Sequence, residues 1–122
     1  MPKENQSTAP RSKETLLSFL KALNEEDFET ARTFVTDDLR FEGVLGARDG
    51  AAAYFTDMER MRFKYAIKSV IAEGEEVAAL FDVTIQGKAI LTAGWYHLTE
   101  GKINSIRVIF DPRPLFARED QV

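Results

Sequence analysis

The chain has 122 residues, with 16 Lys and Arg against 20 Asp and Glu, a formal charge of −4, one histidine and no cysteine. Such a length suits one domain of about 100–150 residues, and 44% hydrophobic with 11% aromatic residues is enough for a packed core. Absence of cysteine excludes a disulfide scaffold, a thiol nucleophile and cysteine metal sites, and a lone histidine excludes multi-histidine sites.

Residues Met1 to about Arg11 are polar, with Pro2 and Pro10 among them, and are expected to form a disordered tail ahead of a single domain over residues 12–122. They lack the apolar segment of a signal peptide, and no apolar run approaches the ~20 residues that span a bilayer. The expectation is a cytoplasmic domain that does not bind membranes. From Ser12 the pattern is helical, since Leu16, Phe19, Leu20 and Leu23 fall at i, i+3, i+4 and i+7 and make one apolar stripe. Ser12, followed by Glu14 and Thr15, is the N-terminal signal. After Asn24-Glu25-Glu26, Asp27 is the predicted cap of a second helix with Phe28, Ala31 and Val35 on one face. Thr36-Asp37-Asp38 is read as its end, with the acids as turn and capping residues rather than a catalytic pair. A short strand follows over Leu39 to Gly43.

Gly46 to Gly50 reads as a turn, and it lacks the Lys-Ser/Thr of a phosphate loop. A third helix is predicted from Asp49 to Met61. The period then changes from 3.6 to 2, with Phe63, Tyr65 and Ile67 alternating with Arg62, Lys64 and Lys68. Further strands are predicted over Val77 to Ile85, Ala89 to Thr99 and Lys102 to Phe110, joined by turns at Gly74, Gly87 and Gly101. Asp111-Pro112-Arg113-Pro114 ends the sheet, because proline cannot donate to a ladder. Helices segregated on one side of three or four antiparallel strands define an α+β fold. The last two strands are apolar on both faces, so the face away from the helices needs its own cover. A homodimer through Trp95, His97, Arg107 and Ile109 is the predicted solution.

Particular stretches carry a family resemblance: Phe19-Leu20-Lys21-Ala22-Leu23-Asn24 leading to Asp27-Phe28, Thr36 to Gly43, the helix entry from Gly46 to Phe55, Gly101-Lys102-Ile103 and Arg107 to Pro112. In their order and spacing the chain resembles the nuclear transport factor 2-like superfamily, which includes ketosteroid isomerases and SnoaL-like polyketide cyclases. The resemblance implies a cystatin-like cone: a curved antiparallel sheet wrapped around three N-terminal helices, an apolar pocket at the wide end, and dimers through the convex face. Isomerases of this fold use an aspartate base with an oxyanion hole made of a tyrosine and a protonated aspartic acid. Carried onto this chain, the tyrosine falls on Phe19, the base on Gly43 (one after Glu42) and the acid on Gly94. No ketosteroid isomerase activity is therefore expected, and the Arg and two Asp of the fold's epoxide hydrolases are not found either.

With Gly94 facing inward, the same strand face carries Ile90, Thr92, Tyr96 and Leu98. The predicted ligand-binding set is Phe19, Phe41, Tyr54, Met58, Phe81, Val83, Tyr96, Val108 and Phe110, with Phe55 as the alternative to Tyr54. Tyr54 and Tyr96 are the candidate hydrogen-bond donors. The catalytic candidates are Glu42, Tyr96 and His97, but alternation turns Glu42 away from the pocket and puts His97 on the convex face with Trp95. Asp82 shares that face and is expected to pair with a cation such as Arg107. Arg60, Arg62, Lys64 and Lys68 read as a solvated strand face in an acidic chain, so no nucleic acid is expected. Neither metal nor cofactor is predicted. The leading function is binding of a small hydrophobic ligand. The alternatives are a cyclase or isomerase acting on a polyketide-like or terpenoid-like substrate, and a non-catalytic interaction domain whose cone is filled.

Overall fold

Leu16, Phe19, Leu20 and Leu23 are all buried, as their spacing predicts, in the first of four helices laid against a single six-stranded sheet. The computed structural model describes residues 2–116, with side chains from Thr8 onward; Met1 and the last part of the predicted domain, 117–122, lie outside the described residues. The elements are α1 (Pro2–Asn24), α2 (Phe28–Arg32), β1 (Val35–Glu42), β2 (Ala47–Asp49), α3 (Ala51–Met61), β3 (Lys64–Glu73), β4 (Glu76–Ile85), β5 (Lys88–Thr99), β6 (Lys102–Phe110) and α4 (Arg113–Phe116). The strand order is β2-β1-β6-β5-β4-β3. Every pairing is antiparallel except β1 with β6. The result is the predicted α+β fold, a curved, unclosed sheet with the N-terminal helices packed on one face. Among the described residues no helix is long and apolar enough to cross a membrane.

Several boundaries differ from the sequence reading. The first helix begins at Pro2 rather than Ser12. Apolar periodicity marks where a helix meets the core, not where its backbone ladder starts. Ser12 is therefore a mid-helix residue, and its hydroxyl donates to the Gly74 carbonyl at 2.8 Å. Asp27 does cap α2, accepting from the Thr30 amide at 3.2 Å, but the helix ends at Arg32 and Val35 opens β1. Val35 pairs with Ile103 across the parallel ladder, and one buried valine satisfies a helical and a strand pattern equally well. Asp37 and Asp38 thus lie on an exposed strand rather than in a turn, Asp37 paired with Arg32. The Gly46 to Gly50 stretch is also not simply a turn. Ala47–Asp49 pairs with Arg40 to Glu42, and the Gly43 amide donates to the Gly46 carbonyl at 2.8 Å. All of β2 is exposed, so it has no apolar alternation to read.

The basic stripe does not share one face. Arg62 ends α3 in the left-handed conformation, φ 52°, and only Lys64 and Lys68 belong to β3. Arg60 pairs with Asp57, Arg62 and Lys64 with Glu26, and Lys68 with Asp82. Asp82 therefore meets Lys68, at 3.5 Å, and not Arg107. Register shifts bend the sheet between Ile67 and Ser69 in β3 and between His97 and Leu98 in β5. The second one lets Ile103 and Ile106 both turn into the core although an unbroken strand would separate their faces.

Asn24 ties the end of α1 to the start of β3. Its side-chain amide donates to the Tyr65 carbonyl at 2.9 Å and accepts from the Tyr65 amide at 2.7 Å, imitating one rung of a ladder. Lys64 adds a bond to the Asn24 carbonyl at 2.8 Å. Asn24→Ala should lower stability by about 2 kcal/mol, since two partly buried backbone groups lose their partner. Urea denaturation checks this; an unchanged midpoint would show that the bridge is not a stabilising contact.

Candidate functional site

Between α3 and the concave face of the sheet lies a cavity of about 300 Å³, at the lower end of the roughly 300–1,000 Å³ that small-molecule sites occupy. Phe81 and Val83 of β4, Thr92 and Tyr96 of β5, and Ile106, Val108 and Phe110 of β6 form its sheet wall. Phe41, Tyr54 and Met58 face them. Exposed side chains of Val44, Leu45 and Met61 mark the rim, with Leu115 of α4 beside them. Lys88 holds that C-terminal turn by donating to the Pro114 carbonyl at 2.7 Å. Arg113 clamps Asp111 at 2.6 Å, which brings the Asp111 carboxyl down to about 2.

The chain has three tyrosines, and all of them line this cavity. Tyr54 comes from α3 and stacks at a tilt on Phe41, ring centroids 5.4 Å apart. Tyr65 comes from β3, where Asn24 holds its backbone, and meets Phe81 edge-on at 5.4 Å. Burial pushes all three phenols above the ordinary tyrosine range, and the charge of a neighbouring phenolate would raise Tyr54 and Tyr96 further. The neighbouring Tyr54 hydroxyl offsets part of the rise at Tyr65.

Tyr96 depends on its neighbour two residues back. A Cβ at Gly94 would lie 2.7 Å from Tyr96 Cε1, 3.0 Å from its hydroxyl oxygen and 3.1 Å from Phe81 Cζ. The phenol ring lies over the bare backbone of residue 94, and only glycine leaves that space. The Tyr96 hydroxyl oxygen therefore lies next to the backbone of residue 94.

Of the residues expected to bind ligand, Phe41, Tyr54, Met58, Phe81, Val83, Tyr96, Val108 and Phe110 border the cavity together. Phe19 does not. It packs edge-on against Phe55, 6.5 Å between centroids, in the core beneath Tyr54. The helical rotation of α3 thereby decides between Tyr54 and Phe55: the first faces the cavity and the second faces α1. Glu42 stands outside, near Arg40 at 3.6 Å and Arg107 at 3.7 Å. His97 is also on the convex face, with Nδ1 2.8 Å from Asn104 Oδ1 and Nε2 3.3 Å from Glu76. Sequence reasoning missed Tyr65, Arg48 and Asp57. Asp57 lies one turn after Tyr54 on α3, so helical spacing could have found it. Tyr65 was hidden in the basic alternation. Asp57 is the cavity's carboxylate, but Arg48 occupies one of its oxygens at 2.8 Å and Arg60 the other at 3.3 Å.

A curved sheet whose concave face and helices enclose an apolar, tyrosine-marked cavity defines a class of small α+β pocket domains. The chain belongs to the SnoaL-like domain family, whose model matches residues 16–106. It is similar to an NTF2-like protein of unknown function from Cytophaga hutchinsonii, with 40% identity over 87% of this chain and 95% of that one, and a TM-score of 0.85. It is also similar to an LEH-like epoxide hydrolase from M. tuberculosis, at 26% identity over 88% of each chain and a TM-score of 0.77. A cystatin fold protein from Novosphingobium aromaticivorans shares the fold at 18% identity, TM-score 0.73, covering 80% of this chain and 97% of that one. No curated protein matches the sequence.

Because the folded phenols hold their protons above the value of about 10 at which unfolded tyrosines titrate, the folded state binds more protons beyond that pH. Stability is therefore unaffected by these groups below about pH 10 and falls as pH rises past it. Ultraviolet difference titration should show little phenolate in the folded protein at that pH, then ionisation of all three tyrosines together with unfolding. A separate, non-cooperative step near pH 10 would mean that at least one phenol is exposed to water.

Proposed function

We propose that the cavity binds a small, largely apolar molecule and performs no chemistry with an in-cavity base. The observation that carries this reading is the Tyr96 hydroxyl. The residue is 2% exposed and borders an otherwise apolar cavity, and among the described residues no protein group hydrogen-bonds to that hydroxyl. That hydroxyl opens onto the cavity, where an occupant carrying an acceptor can take its hydrogen bond. Cyclase or isomerase chemistry would need a proton acceptor facing the cavity. Glu42 and His97 face the other way, and Asp57 is held by two arginines at the rim, which weighs against that alternative. The filled-cone interaction domain is disfavoured by the cavity's volume. N-phenyl-1-naphthylamine, a neutral fluorescent probe, should bind with a blue-shifted emission. Val108→Trp should abolish the signal by filling the space, and Phe81→Ala should alter it by removing one wall. If Val108→Trp binds the probe as well as the natural sequence does, the cavity is not the site.

The second part of the reading concerns the convex face. Trp95 is 52% exposed, Leu91 59% and Ile109 69%; Ala93 lies between them in the ladder, and Ala78 and Leu80 flank them on β4. Arg107 sits 5.7 Å over the Trp95 ring, whose Nε1 donates to Glu76 at 2.7 Å, so the indole is held upright rather than folded away. A contiguous apolar patch of this kind marks an interaction surface, and a second copy is the proposed cover, centred on Trp95, His97, Arg107 and Ile109. Trp95→Glu should then sediment as a monomer where the natural sequence sediments as a dimer. An unchanged dimer would place the interface elsewhere.

A further inference from the structure

We propose that Tyr96, positioned by Gly94, is the residue that sets ligand specificity, selecting an uncharged molecule with a single oxygen acceptor at its inner end. This rests on the pocket reading above and adds the polarity of the occupant. It follows from an inventory of the cavity's polar groups. Thr92 commits its hydroxyl to the Ile90 carbonyl at 3.0 Å. Tyr54 lies beside Tyr65, and Tyr65 donates to the Met58 sulfur at 3.8 Å. Arg48 pairs with Asp57 at the rim, and Arg60 shares the same carboxylate. Whereas Gln86 lies on the exposed hairpin at the cavity's edge, the Tyr96 hydroxyl, fixed over the bare backbone of Gly94, faces the cavity as an inner donor. It is an O–H group with free acceptor capacity as well, but in an apolar cavity a ligand carbonyl or ether oxygen accepting its proton is the simplest complement.

The same inventory works against anions. A carboxylate entering the inner cavity would leave water with no cation beside it, because the charged groups, Asp57 with Arg48 and Arg60, stand at the rim and are paired there. Desolvating an unpaired charge costs far more than one phenol hydrogen bond returns. Tyr96 is buried and neutral, so it can donate one bond but cannot supply positive charge. A hydrocarbon of equal shape enters freely and leaves the hydroxyl unmet. The expected preference is therefore neutral acceptor over hydrocarbon over carboxylate.

Three naphthalenes of matched outline test this by calorimetric titration of the full chain: 2-acetylnaphthalene, 2-ethylnaphthalene and 2-naphthoate. The ketone should bind about three- to tenfold more tightly than the hydrocarbon, and the carboxylate roughly a hundredfold more weakly than the ketone or not at all. Tyr96→Phe keeps the ring and its packing, and should erase the ketone advantage while leaving the hydrocarbon affinity nearly unchanged. Gly94→Ala should reduce the same ratio by displacing the hydroxyl, with the hydrocarbon as the internal control for a general packing defect. Equal affinities for ketone and hydrocarbon, tight binding of the carboxylate, or a ketone advantage that survives Tyr96→Phe would overturn the specificity assignment and leave the pocket standing. Binding of none of the three would remove the pocket reading and this inference together.

Discussion

Tyr96 can lie along its own strand only because residue 94 offers no Cβ, and the interior of the sheet is arranged around that contact. Contact distances of 2.7–3.1 Å from a built Cβ leave no room for even a methyl group. The ring consequently spans two residues of β5 and brings a polar atom into the middle of a wall made from Phe81, Val83, Ile106 and Val108. Packed interiors tolerate little change of volume, so a side chain at 94 and a phenol at 96 exclude one another.

Around this contact the sheet has to solve two burial problems at once. On its concave side α1 covers β3 and β4 while α3 lies against β1, and the space left between them is the cavity. Hydrophobic burial drives the helices onto the sheet, but directional bonds decide where they stop. The Asn24 amide fixes the end of α1 to Tyr65, and the ion pairs of Glu26 with Arg62 and Lys64 support the same corner. The latter pairs are exposed and worth little individually. On the convex side no element of the described chain covers Leu91, Trp95 and Ile109. The fold thereby separates an inward face suited to a small molecule from an outward face suited to a protein surface.

The chemistry of the cavity is set by what burial permits. A phenol is neutral across the physiological range, so an apolar wall can hold it without a counter-charge, and burial raises these three further. Carboxylates and the imidazole of this chain are instead found where water or arginine can meet them. A fold of this family can host many functions, and the position of its charged groups distinguishes them. Here the charges gather at the rim and on the outer face. The inner surface is mainly apolar, with the three phenols and the Thr92 hydroxyl as its polar groups.

Much of this was legible in the sequence. The change of period from 3.6 to 2 after Met61, the cap at Asp27, and the alternation through Phe81, Val83 and Tyr96 each reflect local backbone geometry, and the structure follows them. Periodicity also told the inward residues of β4, β5 and β6 from Trp95 and His97. Three matters were decided only by the tertiary structure. The parallel pairing of Val35 with Ile103 turned a predicted helix end into a strand. The rotation of α3 sent Tyr54 to the cavity and Phe55 with Phe19 to the core. The closeness of Tyr96 to Gly94 determined where that hydroxyl faces the cavity. A sequence specifies faces and periods because those depend on neighbours along the chain. Which side chains meet across a cavity, and which hydrogen bonds remain unspent, depends on elements distant in sequence, and packing alone brings those together.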